Sequence, residues 1–191
     1  MGKRSQDRKL ILDLCGGTGR WSQPYAERLG EYEVRVITLP HYDVRLFEFL
    51  KGVYGILAAP VCTDLAGSGA RWWAQKGERA LLEALALADA CARIVLVTKP
   101  KFWALENPVG RLRRFYGPPK LIFQPNQFGD PYQKRTLIWG DFNIPEFNVV
   151  SLPDDPKKRR PIFFMKRTDD RPARRALTPS GFARAFFEAN R

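Results

Sequence analysis

A largely parallel α/β sheet with helices on both faces is the fold this sequence predicts, and three observations predict it. Short apolar runs (Lys9 to Cys15, Glu33 to Leu39, Val53 to Pro60) alternate with stretches of helical character. Strands joined through helices run parallel and are buried on both faces. The first run ends in a glycine hairpin, Asp13-Leu14-Cys15-Gly16-Gly17-Thr18-Gly19, and such a turn at the carboxyl end of a first strand is the usual ligand crevice of an open α/β sheet. Finally, 191 residues with 45% hydrophobic and 13% aromatic content suit one folded domain with a real core.

Taken in order, Lys9 to Cys15 reads as a buried strand, and Trp21 to Leu29 as a helix that Gly30 stops. Glu33 to Leu39 carries Val34, Val36 and Thr38 in alternation and ends at Pro40. A short element starts at Asp43-Val44, and Val53 to Pro60 is a third strand. Glu78 to about Thr98 is the longest periodic segment, with Leu81, Leu85, Ala88, Ala92 and Val95 on one helical face. Its β-branched end, Ile94 to Val97, fits a strand as well, and pattern alone leaves both readings open; we prefer helix to about Val97 and a strand from Phe102 to Glu106. Leu121 to Phe123 and Thr136 to Trp139 read as a late antiparallel pair. From Asp141 to Ala176 the texture turns proline-rich and basic, a loop or small subdomain. Thr178-Pro179 predicts the start of a last helix, Thr capping and Pro at the first position, with Phe182 and Phe186 on its apolar face and an end near Asn190.

Composition narrows the function. No run of about 18 apolar residues exists, so no membrane span is expected. The basic start, Met1 to Lys9, precedes an apolar run too short for a signal peptide. Three widely spaced cysteines do not form a disulfide framework, which points to the cytoplasm. Net charge is +12, and Lys157 to Arg175 holds nine Lys/Arg against two Asp. That block favours a polyanionic partner through counterion release. A solvated tail is the competing reading, but Phe163, Phe164 and Met165 inside the block suit a surface that folds or docks.

Two further motifs bear chemistry. Pro60-Val61-Cys62 closes the third strand and opens Thr63-Asp64-Leu65-Ala66-Gly67-Ser68-Gly69-Ala70-Arg71-Trp72-Trp73, a flexible stretch with the makings of a lid. A lone cysteine at a strand end is more often core than nucleophile; its place at the carboxyl end, before such a loop, reverses the preference, since a thiolate in electropositive surroundings is a nucleophile. Glu106-Asn107-Pro108 ends the next strand. Cys15 and Cys91 read as structural, and His41 receives no role.

These elements, in this order, resemble those of cytosine-5 DNA methyltransferases, especially short phage-type members. The usual Pro-Pro-Cys appears as Pro60-Val61-Cys62, the Glu-Asn-Val element as Glu106-Asn107-Pro108-Val109, and the Gln-x-Arg-x-Arg element loosely as Gln133-Lys134-Arg135. The resemblance covers roughly Leu10 to Gly140 plus the terminal helix from Thr178, residues 178–190, which would return to the cofactor side. It implies a Rossmann-like S-adenosylmethionine-dependent fold, with cofactor contacts at Asp13, Leu14, Cys15, Gly16, Gly17, Thr18, Gly19, Asp43, Val44 and Pro60. The second strand ends in Thr38-Leu39-Pro40, without the acidic residue that the family uses on the ribose.

The mechanism it implies has Cys62 adding to cytosine carbon 6, Glu106 acting as a protonated acid at N3 and Arg135 holding the base carbonyl. Asn107, Ser68, Arg71, Lys157, Lys158, Arg159 and Arg160 would contact DNA, double-stranded, with the target base flipped out. Residues 141–176 stand where fuller members carry a target-recognition region. So short a segment suits backbone contacts, or a homodimer or partner protein supplying specificity, in the cytoplasm of a bacterium or phage-infected cell. Rival readings are a methyltransferase of RNA or a free nucleotide on the same fold, and a catalytically inactive basic DNA-binding relative. The absence of a cysteine beside Glu106-Asn107 counts against the RNA enzymes, and the presence of both Cys62 and Glu106 against decay.

Overall fold

The computed structural model describes residues 8–48, 50–166 and 168–191. The basic run at residues 1–7 and Arg167 of the charged block lie outside the described residues. Six strands form one mixed sheet: β1 (Lys9–Leu14), β2 (Tyr32–Ile37), β3 (Val53–Ala58), β4 (Phe102–Pro108), β5 (Leu121–Phe123) and β6 (Thr136–Asp141). Their order is β2-β1-β3-β4-β6-β5. The first four are parallel, whereas β6 runs antiparallel to both β4 and β5.

Strand residues alternate between two cores, as period-two geometry requires. Leu12, Leu14, Ile56, Ala58 and Leu105 face a cluster closed by Ala84, Leu85, Ala88, Cys91 and Ile94 of α2 (Trp73–Thr98). Ile11, Leu57, Phe102, Ala104 and Ile138 face an aromatic cluster built with Trp21, Tyr25, Phe182, Phe186 and Phe187. Tyr25 lies on α1 (Gln23–Ala26) and the last three aromatics on α7 (Ser180–Ala189). Both faces are therefore covered, and β1 reads as an apolar run broken only by Asp13 from Leu10 onward because it is buried on each.

Two local expectations change, and one choice left open by the pattern falls as preferred. The helix expected over Trp21 to Leu29 shortens to α1, because Trp21 and Tyr25 turn inward against Phe186 and Phe187 before a regular helix can extend. The ambiguous Ile94 to Val97 stays helical. The α7 start is capped from a distance: Asp130 Oδ2 accepts from Gly181 N at 2.8 Å and Oδ1 from Ser180 Oγ at 3.2 Å. Thr178 does not cap it, and Pro179 sits at the cap position, ahead of the first helical residue.

Between β4 and α7 the chain forms α3 (Arg113–Tyr116), α4 (Pro156–Arg159), α5 (Pro161–Phe164) and α6 (Arg171–Ala176). None of these four contains a buried residue. Among the described residues no helix is long and apolar enough to cross a membrane.

Candidate active site

The chain leaves β1 for β2 on one side and returns to place β3 on the other. Ligand crevices form outside the carboxyl ends of strands at such a reversal. The glycine turn follows β1 there, and Pro60-Val61-Cys62 follows β3. Ala58 pairs with Leu105, so Glu106 and Asn107 end β4 on the same edge. β6 starts at that edge too, with Thr136 opposite Pro108. The topology thus gathers four sequence motifs onto one rim.

The turn is built on Asp13. Its side chain is fully buried, its Oδ2 accepts from Ser22 Oγ at 2.6 Å, and a Cβ on Gly16 would overlap its carboxylate. Burial raises its pKa from 3.8 to about 6 against the opposing Ser22 hydrogen bonds. Gly17 and Gly19 adopt positive φ, +57° and +70°, as does Cys15 at 56°. No heavy atom lies within 4 Å of a Cβ built on Gly17, so the backbone there faces open space. A cavity of ≈ 510 Å³ touches the turn at Thr18 and Gly19 and is walled by Val34, Val36 and Leu177.

Several residues expected at a cofactor are instead its foundation. Asp13 and Leu14 are fully buried, and Val44 is core at 3% exposure; their side chains are enclosed by packing. Asp43 caps the turn Val44–Leu46 and spends both oxygens on Arg45. The Cys15 sulfur accepts a hydrogen bond from Cys91, which lowers the Cys15 pKa and raises that of Cys91. Pro60 is buried too, its carbonyl accepting from Asn107, and Gly17 and Thr18 are the most exposed of the expected positions.

Cys62 is half-buried and held firmly. Its carbonyl accepts from Leu65 N and Ala66 N at 3.0 and 2.8 Å. Gly67 N donates to Val109 O and Arg111 N to Leu65 O, both at 2.8 Å, and Arg111 Nε donates to Asp64 O at 2.7 Å. A Cβ on Gly110 would overlap the Leu65 carbonyl, so the strap requires glycine there. The expected lid is therefore only half free. Its first part is pinned to residues 109–111, and its exposed part is the 3-10 turn Gly67–Trp72, where Ser68 and Arg71 face solvent. Asn107, fully buried, joins the two strand ends by donating from Nδ2 to Pro60 O at 3.0 Å. Its Oδ1 has no partner among the described residues.

Electrostatics connect the thiol and the acid. Burial pushes the Cys62 pKa up and Glu106 adds to the rise, while Lys134 and Arg175 pull it down. Desolvation likewise raises Glu106, with Lys134 opposing. A proton on Glu106 would remove the like charge beside Cys62 and leave burial alone opposing the two cations at the thiol.

The cation that faces both groups is Lys134, which sequence reasoning passed over for Arg135. Ile138 stands opposite Glu106 and packs in the aromatic core, whereas Leu137 packs in the α2 core. Alternation carried back from Ile138 puts Lys134 on the Glu106 side and Arg135 on the other; Arg135 is exposed. Register with β4, invisible in one sequence, decides this. Lys134 Nζ also donates to Leu177 O at 2.8 Å.

The second missed residue is Arg175, whose Nη2 donates to Ser68 Oγ at 3.3 Å. It brings the end of the basic segment over the Cys62 loop. Of the four expected phosphate contacts, Arg159 and Arg160 are partly engaged: Arg159 Nε donates to Pro153 O at 3.0 Å and Arg160 Nε to Gln133 Oε1 at 3.1 Å. Lys157 and Lys158 are exposed.

No family model matches the sequence. No curated protein matches it either. Among solved structures, the chain is similar to one from E. coli described as a "putative DNA modification methyltransferase encoded within prophage", with a TM-score of 0.49 and 16% identity, over 77% of this chain and 56% of that one. The chain thus spans little more than half the length of that protein.

Proposed function

We propose that the chain is an S-adenosylmethionine-dependent DNA cytosine-5 methyltransferase on a Rossmann-like fold. The observation that carries this is the meeting, on one rim beside a glycine turn, of Cys62, Glu106 and the shared cation Lys134. The turn suits the cofactor: Gly17 opens onto free space and the cavity at Thr18 and Gly19 gives room. The backbone of residues 15 to 19 would hold it there, and when bound it supplies an electrophilic methyl group.

The chain's own part is to make cytosine carbon 5 nucleophilic. The Cys62 thiolate adds to carbon 6, and Glu106, whose proton desolvation helps to retain, donates that proton at N3, giving a neutral enamine instead of a charged one. Lys134 favours the thiolate and then steadies the carboxylate that Glu106 becomes. Asn107 fixes Pro60, and through it the strand end that carries Cys62. After carbon 5 is alkylated, its proton passes to solvent water, the electrons of that bond form the 5,6 double bond as the carbon 6–sulfur bond breaks and the thiolate leaves, and N3 returns its proton to Glu106.

The test is mass spectrometry of nucleosides from duplex DNA incubated with protein and S-adenosylmethionine. We expect 5-methyl-2′-deoxycytidine from the native protein and none from Cys62→Ser. A methylated adenine, an N4-methylated cytosine or no product at all would overturn the reading.

A further inference from the structure

Helices α4 and α5 form a small platform that the chemistry above does not use. Phe163 is 77% exposed and Phe164 47%, and their rings meet edge to face at 5.2 Å. Two large aromatics are thus held in water at the tip of a four-residue helix. From Pro156 to Lys166 the sequence holds five Lys/Arg and no acidic residue, so the rings belong to a strongly cationic stretch.

The platform is anchored at the catalytic rim. Gln133 N donates to Arg159 O at 2.8 Å, Arg160 Nε returns to the Gln133 side chain, and Phe163 N donates to Arg160 O at 3.0 Å. Gln133 is the neighbour of Lys134, which faces Cys62 and Glu106. The exposed rings are therefore tied by hydrogen bonds to the segment that carries Lys134.

Exposed aromatics among cations match one class of partner. Phosphates pair with the Lys and Arg side chains, and a base offers a π-face to the ring. Apolar side chains inserted at a base step also unstack it, which lowers the cost of taking a neighbouring base out of the helix. A protein partner would gain little from so cationic a stretch unless it were itself strongly acidic.

We propose that Phe163, backed by Phe164, is a stacking wedge that enters duplex DNA beside the target base. This rests on the reading of the chain as a DNA-modifying enzyme. The wedge supplies base contact without sequence reading, while Lys157 and Lys158 hold the flanking phosphates.

The test uses the full chain and a fluorescein-labelled mixed-sequence duplex, with binding followed by anisotropy across salt concentrations. Phe163→Ala with Phe164→Ala should weaken binding about 5- to 100-fold, as expected for loss of one stacked base, with the salt slope unchanged. A Phe163→Trp protein should bind like the native one, and its added indole fluorescence should be quenched by DNA. A duplex carrying 2-aminopurine should brighten with the native protein and not with the double alanine variant. Circular dichroism controls for folding, which substitutions at such exposed positions should leave intact.

Native binding equalled by the double alanine variant, with no quenching of Phe163→Trp, overturns the wedge and leaves the enzyme reading standing. Unchanged DNA affinity together with a shift from dimer to monomer on gel filtration would make the pair a protein interface and also overturn it. No duplex binding and no methyl transfer by the native protein would remove both readings together.

Discussion

The carboxyl rim of the sheet and the segment from Asp141 to Ala176 place charged and reactive side chains by opposite means. On the rim, Glu106 sits on a paired strand, Cys62 follows four residues after the paired end of β3, and the loop after Cys62 is strapped to residues 109–111 by backbone hydrogen bonds. In the later segment, α4, α5 and α6 contain no buried residue and hang on a few contacts such as Gln133 to Arg159. Side chains on buried, paired elements are held closely enough for covalent chemistry. A charged surface on short helices tolerates slack, because phosphates are attracted over several ångströms. The difference teaches that chemistry is to be sought on the first region and nucleic-acid contact on the second.

The sharpest way to break that division is at Cys62. Cys62→Ser should lower methyl transfer by at least about 10³-fold, while calorimetric affinity for S-adenosylmethionine changes by less than about twofold. A Ser variant that still transfers methyl groups at a substantial rate would put the nucleophile elsewhere.

Asp13 tests how rigid the rim's foundation is. Its folded pKa, about 6, lies above the ordinary 3.8, so the folded state favours the protonated form. That contribution is complete below pH 3.8 and is lost as pH rises toward 6. Above pH 6 the buried charge costs up to about 3 kcal/mol. Asp13→Asn removes the charge and keeps an acceptor for Ser22. Its melting temperature relative to the native protein should therefore rise between pH 4 and pH 8. An offset flat with pH would mean that Asp13 is solvated in the folded state.

On the charged segment, Lys157→Ala with Lys158→Ala should reduce the slope of log K against log salt by about two, which corresponds to roughly 60-fold weaker DNA binding at about 0.1 M salt. Affinity for S-adenosylmethionine and thermal stability should not move, since both side chains are exposed. A changed target sequence with an intact slope would make these residues base readers.

Much of the fold is legible in the sequence because its strands are buried on both faces and punctuated. Leu10 to Leu14 and Val53 to Ala58 are apolar runs broken only by Asp13 and Gly55, with glycine or proline near their ends, and α2 has a clear helical period. What stayed hidden is long-range. Asp130 caps α7 from 50 positions away, and Trp21 and Tyr25 cut α1 short by packing on a helix at the other end of the chain. Gly110 looks like an ordinary turn glycine until Leu65 is placed against it. The candidate site divides the same way: its motifs stand in the sequence, but which of two adjacent cations serves it depends on strand register.

That choice gives the smallest and most discriminating effect. Lys134 lowers the pKa of both Cys62 and Glu106, so removing it should raise both. Transfer needs the thiol deprotonated and the acid protonated. Because the thiol titrates above the acid, the reactive pair is a minority form, and activity climbs with pH until Glu106 ionises and falls once Cys62 has ionised. Lys134→Ala should move both limbs of the pH–rate profile to higher pH, with about a tenfold loss near neutrality from the lost charge stabilisation. Arg135, on the opposite side of the strand, should leave the profile in place when changed to alanine and affect rate by no more than about twofold. Lys134→Arg keeps the charge and should restore the position of the profile, which a merely structural tie to Leu177 would not require. If Arg135→Ala shifted the limbs and Lys134→Ala did not, the strand would present the other cation to the acid, and the side-chain alternation drawn from Ile138 opposite Glu106 would fail at the rim.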